Sequence, residues 1–113
     1  MIRALFICGK ARSRSPTAAQ IFAEWPGVST DFGGISRDAD DALSLDQIDW
    51  ADMIFVMEQR HITRLSERFG SALAGRQLVN LRVQDRFRYM EPDLITLLTE
   101  RAGPYLRPEG VPR

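Results

Sequence analysis

Four strand-like segments, each followed by a helical segment and two of them short continuous apolar runs, constrain this chain more than any other feature of it. Arg3 to Ile7 is brief, continuous and followed by Gly9, the pattern of a strand buried on both faces. Ser15-Pro16-Thr17 then opens a helix, and proline is accepted in the first turn because its missing N–H would have no partner there. Ala18, Ile21, Phe22 and Trp25 form the apolar stripe of that helix, and Pro26-Gly27 ends it. The alternation recurs, with Val28 to Phe32 as a second strand ended by Gly33-Gly34, a polar loop over Ser36 to Asp41, and Ser44 capping a short helix. Asp52 to Met57 is the third strand, and Ile62, Leu65, Phe69 and Leu73 carry the next helix. Leu78 to Val83 is the fourth strand, and Pro92 opens a last helix lined by Leu94, Leu98, Ala102 and Tyr105. This order predicts an α/β fold: a four-stranded parallel sheet with helices on both faces.

A chain of 113 residues with 44% hydrophobic composition is sized for one core, so a single domain is expected over residues 1–106, with a frayed tail over 107–113 rich in proline and glycine. Fifteen basic residues balance fifteen acidic ones. The overall field therefore gives no reason to expect nucleic acid or an anionic membrane as partner, and any anion binding must be local. Fourteen of the basic residues are arginine, which either phosphate recognition or codon bias explains. One cysteine allows no internal disulfide, and no run approaches the roughly 20 apolar residues needed to span a bilayer. A cytoplasmic location is expected, with a monomer as the default.

In such sheets ligands bind at the carboxyl ends of the strands. Cys8 ends the first strand and stands just before a helix N-terminus, where free amides and the helix dipole favour anions. The segment Cys8-Gly9-Lys10-Ala11-Arg12-Ser13-Arg14-Ser15-Pro16 places Arg14 six residues after the cysteine. That spacing is weak evidence alone and gains force from the strand before it and the helix after it. The five intervening residues can wrap a tetrahedral anion in backbone N–H groups, and Arg14 can close the loop with a bidentate grip. Arg12, Arg14 and the helix N-terminus would favour the thiolate of Cys8 and make it a nucleophile; the plain alternative is a small buried hydrophobe.

These residues resemble the low-molecular-weight protein tyrosine phosphatase family, whose signature is cysteine, five residues, then Arg-Ser-Pro after strand one. Ala51 to Glu58 is similar to the family's third strand with its terminal Met-acid pair, and Val83 to Phe87 stands in the place of its Asp-Pro-Tyr segment. The resemblance implies a single phosphatase domain that hydrolyses phosphate monoesters, phosphotyrosine first among them, through a phosphocysteine. It makes Cys8 the nucleophile, Arg14 and the amides of Gly9, Lys10, Ala11, Arg12, Ser13 and Ser15 the phosphate cradle, Asp85 the general acid, and Ser15 a hydroxyl donor to the thiolate. The expected substrate is a phosphorylated protein or a small aryl phosphate. No cofactor or metal is implied, and the sole histidine, His61, reads as a partly solvated residue near a helix start. Departures from the family are Ala11 for a loop asparagine, Ser13 for a second cysteine, Arg86-Phe87 for Pro-Tyr, and a shortened stretch between strands two and three.

Several residues carry a second reading. A phosphate-binding module without turnover is the alternative for the whole chain, whereas the thioredoxin-coupled arsenate reductases, which share this fold, need cysteines absent here. Phe87 and Tyr89 either contact a substrate ring or simply pack, and Trp25 and Trp50 are expected to cover core. Glu91 is a rival acid or a helix-start carboxylate. Asp38, Asp40 and Asp41 form a solvated loop, since the cluster lacks the Gly and Glu of a calcium loop.

Overall fold

A computed structural model of the chain describes residues 1–107. Its four strands are all parallel: β1 (Ile2–Cys8), β2 (Val28–Gly34), β3 (Met53–Val56) and β4 (Gln77–Asn80), in the order β2-β1-β3-β4. Four α-helices accompany them: α1 (Arg14–Phe22), α2 (Leu45–Trp50), α3 (Gln59–Phe69) and α4 (Pro92–Leu106). Of the expected tail, only Arg107 falls within the described residues, and its guanidinium lies 5.5 Å from the Trp25 ring.

The side chains of β1 alternate between two cores. Ala4, Phe6 and Cys8 face α1 and α4, while Leu5 and Ile7 face α2 and α3. In β3, Met53 and Phe55 join the first core and Ile54 and Val56 the second. Burial on both faces is why these strands read as continuous apolar runs. Phe6 stacks between Phe22 and Phe55, with ring centroids 5.6 and 5.1 Å away. The expected Ser44 cap is a full capping box, in which Ser44 Oγ accepts from the Gln47 amide and Gln47 Oε1 accepts from the Ser44 amide.

Element boundaries move in several places: α1 ends at Phe22 rather than Trp25, and β3 covers Met53–Val56 rather than Asp52 to Met57. β2 runs two residues further, to Gly34, because Cys8 and Gly34 still pair. The helix expected to reach Leu73 ends at Phe69, where Gly70 takes φ 35° and a short 3-10 turn covers Gly70–Leu73. β4 ends at Asn80 instead of Val83, since Arg82 enters the left-handed region at φ 56° and breaks the extended run. Leu81 and Val83 stay buried although they lie outside the strand. β1 leads to α1 on one face and β3 leads to α3 on the other, so the crevice beyond the carboxyl ends of β1 and β3 is the switch point of the sheet.

Candidate active site

The loop from Cys8 to Arg14 lies at that switch point. Its carbonyls are turned outward and held there: Cys8 O accepts from the Ile35 amide, Gly9 O from Ser36 and Lys10 O from Asp40, at 2.9, 2.9 and 3.1 Å. With the carbonyls engaged behind the loop, the amides of residues 9–13 have no acceptor among the described residues. A run of free N–H groups at the start of a helix is an anion cradle. Gly34 permits the close approach that this needs, because a Cβ there would lie 2.4 Å from Ala39 Cβ and 2.7 Å from Gly9 O. Ala11 sits within the loop at φ 59°, a left-handed conformation that asparagine and glycine adopt more readily than alanine.

The acidic loop that follows β2 acts as a strap. Asp38 accepts from Lys10 at 2.9 Å and Asp40 from Arg12 at 3.2 Å, so the polar stretch after β2 braces the cradle from outside. Hydrogen bonds from Ser36 and then Lys10 hold the Asp38 carboxyl down at about 2. Among the described residues no group of three or more His, Cys, Asp or Glu side chains could hold a metal ion.

Cys8 is buried, and its Sγ lies 3.0 Å from Ser15 Oγ. When the sulfur is a thiolate, the hydroxyl must be the donor. Arg14 is 2% exposed, a large charged side chain inside the protein. Its Nη1 donates to Glu58 Oε2 at 2.6 Å and to the Val83 carbonyl at 2.8 Å, which uses both hydrogens of that nitrogen. The remaining fork is Nε and Nη2. Nε is buried without a hydrogen-bond partner and lies 3.7 Å from Asp85 Oδ1. The guanidinium is thus fixed from behind while one edge stays available. Burial alone would push the Glu58 carboxyl up, but hydrogen bonds from Arg14 and Arg60 outweigh it and hold it below its ordinary value.

Asp85 is exposed along 64% of its side chain. With Cys8, Lys10, Arg12, Ser13 and Arg14 it lines a cleft of about 120 Å³. The segment that carries it is tied to the fold at several points. The Leu81 and Val83 amides donate to Val56 and Met57 carbonyls, each at 2.8 Å. Arg101 on α4 donates to the Leu81 and Arg82 carbonyls at 2.8 and 2.7 Å. The Met90 amide donates to buried Thr17 Oγ1 at 2.9 Å. Phe87 is buried core with Arg86 lying 4.3 Å above its ring, which decides its two readings for packing. Tyr89 is 50% exposed but bonds to Gln20 and borders a depression on the α1 side, away from the Cys8 cleft. Glu91 stands at the N-cap position of α4 without a side-chain bond to the helix amides, and its carboxylate accepts from the Arg88 amide.

His61 overturns its expectation: it is 1% exposed rather than partly solvated. The helix start turns it inward, where Nδ1 accepts from the Glu58 amide at 3.2 Å. That bond fixes the neutral tautomer with its proton on Nε2, which has no hydrogen-bond partner and lies 3.8 Å from Glu58 Oε2. Burial first, then the Arg14 and Arg60 charges, push His61 down to about 4. Glu58 as the Arg14 anchor, and Arg101 and Thr17 as holders of the Asp85 segment, are not among the candidates that the sequence offers. Only Glu58 left a signal, an acidic residue at the carboxyl end of a buried parallel strand and hence at the same end of the sheet as Cys8.

The topology and the loop define a class: α/β proteins in which a cysteine and a buried arginine flank a run of free amides at the switch point of a parallel sheet. The fold is the one shared by low-molecular-weight protein tyrosine phosphatases. The structure resembles the YwlE arginine phosphatase from Geobacillus stearothermophilus, with 22% identity and a TM-score of 0.70 over 93% of each chain. It also resembles the tyrosine phosphatase Wzb from Escherichia coli K30, with 17% identity and a TM-score of 0.72 over 94% of this chain and 97% of that one. Wzb from Vibrio vulnificus, solved with benzylphosphonate, aligns with 17% identity and a TM-score of 0.75 over 93% of this chain and 97% of that one. No protein-family model and no curated protein sequence matches the chain.

Proposed function

We propose that this chain hydrolyses phosphate monoesters, phosphotyrosine first among them, through a phosphocysteine on Cys8. The observation that carries this reading is the Nε–Nη2 edge of buried Arg14, held from behind by Glu58 and Val83 beside a cysteine and a run of free amides. Such a fork fits two oxygens of a phosphoryl group. The phosphoryl oxygens sit in the cradle, and the Cys8 thiolate attacks phosphorus on the side opposite the ester oxygen. The S–P bond forms, the P–O bond breaks, and Asp85 gives its proton to the departing oxygen. Water then attacks the phosphocysteine and loses a proton to the Asp85 carboxylate. The S–P bond breaks, inorganic phosphate leaves, and the thiolate returns to its hydrogen bond from Ser15. Protonating a phenolate leaving group contributes about 10²- to 10⁴-fold.

The neighbours include enzymes described as arginine phosphatase and as tyrosine phosphatase. A test therefore uses para-nitrophenyl phosphate with phosphotyrosyl and phosphoarginyl peptides, on the unaltered chain, Cys8→Ser and Asp85→Ala. The expected result is turnover abolished by Cys8→Ser and reduced by about 10² or more by Asp85→Ala, with the phosphotyrosyl peptide preferred. Turnover that survives Cys8→Ser would sink the mechanism. Absent turnover together with thermal stabilisation by tungstate would assign the cradle to binding alone.

A further inference from the structure

Arg60, Arg64 and Arg68 recur every fourth residue on α3, which sets three guanidinium groups along one face of the helix. Like charges at that spacing weaken a helix, and all three are exposed. With Arg37 they line an outer cleft of about 750 Å³. It adjoins the Cys8 cleft in two steps. Ser36, Arg60 and Arg64 also line an intermediate cleft of about 300 Å³, and that one shares Lys10 and Asp85 with the Cys8 cleft.

The cations of this groove are not all engaged. Arg60 donates to Glu58, and Arg68 donates to the Ile35 carbonyl. Arg37 and Arg64 make no hydrogen bond or ion pair among the described residues. The two carboxylates of the outer cleft are Glu67 and Asp38, and Lys10 already neutralises Asp38. Four arginines against these two carboxylates leave a local positive excess on a chain whose overall charge is zero.

We propose that this groove is a subsite for acidic residues flanking the phosphorylated residue of a polypeptide substrate, with Arg37 and Arg64 pairing with aspartate or glutamate while the phosphate occupies the Cys8 loop. The inference rests on the phosphatase reading and adds the sequence context of its substrate. A polypeptide fits because the joined clefts extend well past the space that one phosphorylated side chain fills, and guanidinium forks match carboxylates. A nucleic acid does not fit: Glu67 and Asp38 interrupt the positive run, and the exposed Tyr89 and Tyr105 do not line it.

The experiment compares phosphotyrosyl peptides of one length carrying two acidic, two neutral or two lysine residues on either side of the phosphotyrosine. Enzymes are the unaltered chain and Arg37→Glu/Arg64→Glu, with para-nitrophenyl phosphate as the reference substrate. The acidic peptide should exceed the neutral one in kcat/KM by about tenfold at low salt, chiefly through KM, with the advantage shrinking as salt rises. In the double variant that ratio should fall to about one and the lysine peptide should gain. Equal kcat/KM for acidic and neutral peptides, beside normal turnover of para-nitrophenyl phosphate, would overturn the subsite and leave the phosphatase reading intact. If no substrate is turned over, Kd values for the same peptides on Cys8→Ser decide it. An acidic preference that the charge reversals remove supports the groove, and equal affinities overturn it.

Discussion

Arg14 is the residue on which the site depends, and its burial makes Glu58 its most consequential neighbour. Removing one partner of a buried ion pair leaves a charge without compensation, at a cost of about 3 kcal/mol where both groups are enclosed. Glu58 is 30% exposed, so water relieves part of that cost. Glu58→Ala should destabilise the fold by about 1–2 kcal/mol in urea denaturation and lower kcat with para-nitrophenyl phosphate at least tenfold, while Glu58→Gln, which keeps an acceptor, recovers part of both. Unchanged kcat in Glu58→Ala would mean that Val83 alone fixes the guanidinium. Ala11 poses the opposite case. An alanine at φ 59° carries roughly 1–2 kcal/mol of strain, and glycine returns part of that gain as added freedom of the unfolded chain. Ala11→Gly should therefore stabilise the chain by up to about 1 kcal/mol in the same assay, and a loss of stability would show that the alanine methyl packs better than its backbone suggests.

Among elements, the segment from Leu81 to Glu91 matters most, since it is irregular yet carries Asp85. It keeps its place because other elements hold it: the end of β3 through the Val56 and Met57 carbonyls, α4 through Arg101, and α1 through Thr17 and Arg14. Arg101→Ala removes two hydrogen bonds to Leu81 and Arg82 and should lower global stability by only about 1–2 kcal/mol. Its larger effect should be on kcat for para-nitrophenyl phosphate, reduced about tenfold with KM nearly constant, because a loosened acid misses the leaving oxygen. An equal loss in the Arg101→Ala/Asp85→Ala and Asp85→Ala enzymes is the matching expectation, and additive losses would place Arg101 in another role.

For the molecule as a whole, His61 sets an acid limit on stability. Its folded value of about 4 lies below the ordinary 6.5, so the unfolded chain binds a proton that the folded chain refuses between those two values. Stability then rises with pH through that window and is lost as pH falls from about 6.5 toward 4. Glu58 and Asp52 are held low by Arg14 with Arg60 and by Arg3, so their contributions disappear only at still lower pH. Thermal melts from pH 7.5 to 4.5 should show a falling Tm, and His61→Gln should flatten the curve above about pH 5. Parallel curves for the two proteins would assign the acid loss to carboxylates alone.

Burial on both sheet faces writes β1 and β3 into consecutive apolar residues, and with the turn and cap residues around them this was enough to place four strands, four helices and a cysteine at a strand end. The loop from Cys8 into the start of α1 was legible because it is local in the chain. What lay beyond reach was every contact between distant segments: Glu58 behind Arg14, Arg101 and Thr17 holding the Asp85 segment, His61 turned inward, and Asp38 and Asp40 bracing the loop. Each of these joins residues 19 or more positions apart, except the His61 contact with Glu58, which depends on how α3 seats against β3. Such pairings have no periodicity to announce them. They are decided by the order of the strands within the sheet, which sets the ends of β1 and β3 side by side and gives a buried arginine its carboxylate.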